Sequence, residues 1–312
     1  MKKKIGIFIF VVICSMVMLS DWVERIYIGR IAGVPGRYNS YVGIQKERAN
    51  SIDALVLGDS ESMTSISPME LWKNSGITSY VCGQSGQRIS EAYYMLKHAL
   101  ENQSPKIVLL ETNMLFRYKN VPDSLRSSIS DTAMYYLPAI QYHNIWKKIV
   151  NKETPEGWQS YKGFAIRSGV VAYSKGCYMK KTKKEEEISA INCWYLDKIR
   201  KLCDEKGINL LLYTSASPLN HNYKKYNAIL KYADQYGIAY LDFNQKVKEL
   251  GIDWKSDTLD KGDHLNLSGS HKVTDYMTKY LQEHYMLSDH RGDEKFKDWD
   301  TMAEQYTAET GN

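Results

Sequence analysis

Short apolar runs recur along this chain, separated by segments of helical period, and each run ends among small or polar residues. The first spans Asp53 to Gly58, reads Ala54-Leu55-Val56-Leu57, and stops at Gly58-Asp59-Ser60. Its length and unbroken hydrophobicity predict a strand buried on both faces. Ser79 to Cys82, Lys106 to Glu111, Ile208 to Tyr213 and Ile238 to Phe243 repeat the pattern. Helices are predicted over Ser90 to Asn102, Glu185 to Glu205, Tyr223 to Tyr236 and Ser268 to Tyr285. The second of these repeats Ile188, Ile191, Tyr195, Ile199 and Leu202 at helical spacing, with Gly207 as its stop. Strands that alternate with helices need crossovers, and crossovers make parallel sheets covered on both faces. The expectation is therefore an α/β fold, a three-layer α/β/α sandwich on a parallel five-stranded sheet. In such sheets ligands bind beyond the carboxyl ends of the strands, so chemistry is to be sought just after each one.

The N-terminus has a different pattern. Lys2, Lys3 and Lys4 precede an uncharged run from Ile5 to Leu19, closed by Ser20 and Asp21, with Trp22 and Val23 beyond. No small-x-small cleavage site follows, which predicts an uncleaved signal anchor, a transmembrane helix over residues 1–24. The lysines should stay cytoplasmic, which puts the rest of the chain outside the membrane. Residues 25–50, with Gly29, Gly33, Pro35 and Gly36, read as a juxtamembrane connector, and 51–287 as the α/β domain. Within it the alternation lapses between Met114 and Lys184. That stretch holds Tyr135, Tyr136, Tyr142, Trp146, Trp158, Tyr161, Tyr173 and Tyr178, and reads as an insertion that caps or borders the site. Such rings can stack on sugars or simply fill a sub-domain core. In residues 288–312 acids outnumber bases seven to three and apolar residues are sparse, the pattern of a flexible tail.

Composition narrows the class. Of 312 residues 43% are hydrophobic and 25% charged, which excludes a mainly disordered chain and a multi-span membrane protein. The formal net charge is +5, and the three N-terminal lysines supply more than half of it, too little for a nucleic-acid binder. Five cysteines without a C-x-x-C pair suggest neither a disulfide scaffold nor a zinc cluster, although a pair among Cys177, Cys193 and Cys203 stays open for an exported domain.

The strand ends carry the candidate chemistry. The first gives Gly58-Asp59-Ser60-Glu61-Ser62, the second Gly83-Gln84-Ser85-Gly86-Gln87, the third Glu111-Thr112-Asn113. Before the last helix stands Asp260-Lys261-Gly262-Asp263-His264-Leu265-Asn266. A hydroxyl, an imidazole, carboxylates, a glycine turn and an amide are the parts of an acyl-transfer site. Singly, each has a structural use: Ser60 as a helix cap, Gly86 as a turn glycine, Asn113 as an Asx-turn, Asp263 as a cap beside a surface His264.

Taken together, the blocks resemble the SGNH (GDSL-type) hydrolase superfamily, in the same order from about Asp53 to Tyr285. The resemblance implies the flavodoxin-like form of the sandwich, with Ser60 as nucleophile and His264 as base. It implies an oxyanion hole from the N–H groups of Ser60 and Gly86 and the Asn113 amide. No cofactor is implied, and the remaining histidines show no metal-ligand spacing. The chain departs from the pattern at Glu61, Glu111 and Met114. It departs also at Lys261, which stands where the superfamily usually has its acid, three residues before the histidine. Asp260 is the preferred orienting acid and Asp263 the alternative. An anchored member with an aromatic insertion resembles the extracytoplasmic proteins that work beside membrane-bound O-acyltransferases on exported or cell-wall polysaccharides, the D-alanine transfer protein of teichoic acid synthesis among them. The implied partners are an acylated glycan or small acyl ester, and such an acyltransferase. Esterase and acyltransferase remain open, as does a catalytically inactive glycan-binding or scaffold module.

Overall fold

Each of the first three strands is buried from end to end, because helices cover both faces of the sheet. The computed structural model describes residues 2–26, 39–117, 120–141 and 161–311. Five parallel strands, β1 (Ala54–Gly58), β2 (Ser79–Gly83), β3 (Ile107–Glu111), β4 (Asn209–Thr214) and β5 (Ala239–Asp242), lie in the order β2-β1-β3-β4-β5. The reversal of strand order beside β1 puts a crevice at its carboxyl end, where Gly58-Asp59-Ser60 emerges. Side chains alternate as the two-residue period requires. Leu55, Leu57, Val108, Leu110 and Leu212 enter one apolar core, and Ala54, Val56, Ile107, Leu109 and Leu211 the other.

The described helices are α1 (Lys2–Ile26), α2 (Asn39–Lys46), α3 (Ser60–Ser65), α4 (Pro68–Ser75), α5 (Ile89–Ala99), α6 (Val121–Tyr136), α7 (Pro138–Gln141), α8 (Ala190–Lys206), α9 (Tyr223–Tyr236), α10 (Leu267–His284) and α11 (Lys297–Thr310). The predicted helix from Glu185 begins only at Ala190. Ser189 caps it by accepting from the Asn192 N–H, while Glu186 donates its own N–H to Lys224 O and stays extended. α1 contains a 21-residue stretch, Lys3–Val23, long and apolar enough to cross a membrane, and Ile5, Phe8, Phe10, Val11 and Val17 along it are exposed.

Two expected boundaries are corrected. The connector assigned to 25–50 ends in α2, whose Tyr41, Val42 and Ile44 are buried, so the domain starts before residue 51. Gly29, Gly33, Pro35 and Gly36 lie outside the described residues. The tail at 288–312 is not frayed: α11 packs on α4 and buries Trp299 and Tyr306, with Phe296 before it. Trp299 sits 5.4 Å from Trp72, and the Trp72 indole donates to Asp300 Oδ1 at 3.0 Å. The sparse apolar residues fall at positions 296, 299, 303 and 306, a single helical stripe, and a stripe is enough to dock a helix.

Of the insertion at 114–184, residues 161–164 turn beside β2 and 165–184 follow without helix or strand. Phe164 to Tyr173 are tied through backbone hydrogen bonds to Met63, Thr258 and Trp254, and Lys261 and Leu267 bond back to the same segment. Gly163, at φ +87°, passes so close that a Cβ would stand 1.9 Å from Val81 O. Tyr161 is buried and hydrogen-bonded to Glu309, and Tyr135 stacks on Tyr94 at 4.7 Å. Tyr142, Trp146 and Trp158 lie outside the described residues. All five cysteines are free thiols, so Cys177, Cys193 and Cys203 form no pair.

Candidate active site

The turn after β1 is tight because of its glycine. A Cβ on Gly58 would stand 2.5 Å from the Ser62 Cβ and 2.7 Å from the Glu111 Cβ, so only glycine lets α3 start this close to the sheet. Asp59 caps α3 by accepting from the Glu61 N–H at 3.0 Å, which makes Ser60 its first residue. The loop after β2 abuts this turn through Gln84 N–H donating to Gly58 O at 3.3 Å.

His264 arrives on the loop before α10, pinned at both ends. Thr258 and Leu265 form an antiparallel bridge, and the Leu259 N–H and Thr258 hydroxyl donate to His264 O at 3.0 and 3.1 Å. Between them Lys261 and Gly262 turn back at φ +63° and +90°. The reversal brings Asp260 under the ring, so an acid four residues upstream reaches the imidazole. Its Oδ2 lies 2.7 Å from His264 Nδ1 and its Oδ1 accepts the His264 backbone N–H at 2.7 Å. On the other side of the ring Nε2 stands 2.8 Å from Ser60 Oγ. Asp263 Oδ1 is 3.8 Å from Nδ1 and accepts instead from the Asn220 amide. Asp260 thus meets the imidazole directly and Asp263 does not.

Asn113 and Gly86 belong to the same region with different surroundings. Asn113 follows β3, and its amide nitrogen donates to Asp59 Oδ2 at 3.0 Å and Glu61 Oε1 at 3.1 Å, while Oδ1 accepts from Lys225 at 3.4 Å. Both amide protons are therefore committed to carboxylates. Gly86, at φ +62°, lies beside the Arg117 guanidinium: a Cβ there would be 3.8 Å from Nη1.

Behind Ser60 is a cluster that the strand-end reading did not assemble. Asp59, fully buried, receives the Arg117 guanidinium at 2.6 Å. Glu61 and Glu111 are buried, and among the described residues Glu61 Oε2 and Glu111 Oε1 meet no hydrogen-bond donor. Burial, with Glu111 and Asp59 adding like charge, pushes the Glu61 carboxyl well above its usual range. Burial and then Asp59 do the same to Glu111. Asn220, after β4, bridges Glu61 Oε1 at 2.6 Å to Asp263 and holds Lys225 through its carbonyl. Glu61 and Glu111 were visible only as departures from a pattern. Arg117 and Asn220 could have been found by following the third strand end further and by reading the fourth.

Among the described residues Asp260, Asp263 and His264 form the one group with three metal-capable donor atoms within 4.8 Å of one another. Both ring nitrogens of His264 are already engaged, by Asp260 and Ser60, so a cation on the imidazole would have to displace one of those hydrogen bonds.

No family model matches the sequence, and no curated protein does. Among solved structures the chain is similar to a protein from Bacteroides fragilis NCTC 9343 named as an acylhydrolase by assignment, at 12% identity and TM-score 0.40, covering 79% of this chain and 95% of that one. It is similar also to a GDSL-like lipase from Bacteroides thetaiotaomicron VPI-5482, at 11% identity and TM-score 0.37, covering 74% and 87%.

Proposed function

We infer that the chain is a serine esterase or O-acyltransferase of the SGNH type, acting on acyl esters through an acyl-Ser60 intermediate. The observation that carries this reading is the unbroken relay Asp260–His264–Ser60, with links of 2.7 and 2.8 Å. His264 Nε2 takes the Ser60 proton as Oγ bonds to the ester carbonyl carbon, and Asp260 fixes the tautomer and steadies the imidazolium. As the carbon–oxygen bond to the leaving alcohol breaks, His264 returns that proton to the alcohol. Water or a second hydroxyl, deprotonated in turn by His264, then attacks the acyl-Ser60 carbonyl and releases Ser60. The N–H groups of Ser60 and Gly86 serve as oxyanion donors, and the Asn113 amide joins them on releasing one carboxylate.

The setting proposed is a single-pass membrane protein with α1 as anchor and the domain outside the cytoplasm, handling the acyl group of an exported or cell-wall glycan beside a membrane-bound O-acyltransferase. The lysine-flanked apolar helix supports the anchor.

One observation favours a second reading. With both Asn113 amide protons already on the carboxyl groups of Asp59 and Glu61, that side-chain donor is not offered to the charge that develops at Ser60. A catalytically inactive glycan-binding or scaffold partner of the acyltransferase would have no need of it. A fluorophosphonate probe separates the two. An adduct on native Ser60, absent after denaturation and from Ser60→Ala, supports the enzyme; no adduct on the native chain supports the binding module.

A further inference from the structure

Helix α6 is built inside out. Toward the body of the domain it carries polar groups. Ser124 and Asp131 are buried, Asp131 is held by Arg88 and Ser90, and the Ser128 and Thr132 hydroxyls meet those of Tyr195 and Tyr94 at 2.7 Å. On its outer flank it carries Val121, Leu125 and Ile129, which are 54%, 50% and 62% exposed, whereas Tyr136 turns back to Tyr94 and accepts from Lys97. At about 100° per residue these three share a sector of roughly 80°, with Arg126 outside it and Thr132, which reaches in to Tyr94, at its domain-facing edge. Ile140 on α7, 39% exposed, extends the row. A helix bordered by water has its apolar stripe turned inward. Single exposed apolar residues are ordinary, but a row of them on a helix whose domain-facing flank is polar is a surface suited to another medium.

The contact with α1 identifies that medium. Ser20 closes the apolar run of α1, is 2% exposed, and its hydroxyl accepts the Ala139 N–H of α7 at 3.4 Å. Asp21 and Trp22 come next, so α7 docks where the anchor passes from apolar to polar sequence. The exposed row therefore starts at the level of the membrane surface. We propose that α6 and α7 lie in the plane of the bilayer interface with the row from Val121 to Ile140 among the lipid acyl chains, so that membrane holds the domain at a second place besides α1. The inference rests on α1 being the anchor.

Collisional quenching on the full chain tests it, in phosphatidylcholine–phosphatidylglycerol vesicles containing doxyl-labelled lipid. An environment-sensitive fluorophore is placed at Leu125→Cys or Ile129→Cys in a Cys177→Ser background. Lys231→Cys on exposed α9 and Val11→Cys within α1 are the references, and the Cys177→Ser parent is the blank. Because Leu125 and Ile129 are exposed, the label disturbs no core. The expected result is several-fold stronger quenching by doxyl lipid than by aqueous iodide at 125, 129 and 11, with the reverse at 231. Iodide quenching at 125 and 129 alongside lipid quenching at 11 overturns the proposal and leaves the anchor standing. Shielding of 125 and 129 from both quenchers overturns it in favour of a protein cover, a second copy of the chain. Iodide quenching at 11 removes the anchor and the proposal with it.

Discussion

His264 has two aspartates within reach, and distance separates their roles. Asp260 makes two bonds of 2.7 Å to the residue, one to the ring and one to the backbone, whereas Asp263 is 3.8 Å from Nδ1 and accepts from Asn220. If turnover is found, Asp260→Asn should lower kcat by about 10³–10⁴, the range for an orienting acid that leaves the wrong tautomer. Asp263→Asn should cost less than about tenfold, since no reacting atom depends on it. Initial rates on a p-nitrophenyl ester decide between them, and equal losses would discard the assignment. Arg117 gives a stability counterpart. Its side chain is about one-third exposed while Asp59 is fully buried, so Arg117→Ala strands a carboxylate that water cannot reach. Removing one member of such a pair costs about 3–5 kcal/mol, and the partial exposure of Arg117 places this case near 3. Urea unfolding of the variant measures it.

At the level of elements, what the sequence made legible followed how each segment is buried. β1 to β3, buried from end to end, and the inner halves of β4 and β5 were readable because each holds a short, mainly apolar run, and α9 matched Tyr223–Tyr236 because Asn222 and Gly237 cap a periodic stretch. α3 and α4 were not predicted: each is under nine residues, too short for its period to show, although Ser67-Pro68 before Glu70 is a helix-start signal. α11 was missed for a different reason. Its docking stripe is thin among acidic residues, and the surface it docks on, Trp72 of α4, is more than 220 residues away in sequence. Trp299→Ala should therefore cost about 3–5 kcal/mol, the range for emptying a buried tryptophan site. A thermal midpoint unchanged from the parent would mean that α11 is ornamental.

For the whole molecule, the cluster behind Ser60 couples the candidate site to global stability. The relay of Ser60, His264 and Asp260 could be anticipated because its blocks sit at strand and helix edges. The buried acids could not, since a glutamate in a sequence carries no mark of being enclosed by two other carboxyls. Their raised pKa values fix the sign of a pH effect. From about the ordinary value of 4.5 up to the raised native values, the folded chain binds protons on Glu61 and Glu111 that the unfolded chain has released. Stability is then full below the ordinary range and falls as pH rises, by up to about 1.4 kcal/mol per pH unit for each proton retained. His271, whose pKa burial lowers from 6.5, works in the opposite direction but is common to parent and variant, so the difference between the two isolates the glutamates. Glu61→Gln with Glu111→Gln keeps the acceptors facing Asn113 and Asn220 and removes both ionisations. As pH rises from the ordinary carboxylate range toward neutrality, the parent should lose stability in chemical denaturation relative to the double variant. Parallel curves would show that folding raises neither carboxyl above its ordinary range, and Ser60 would then stand beside a charged acidic wall.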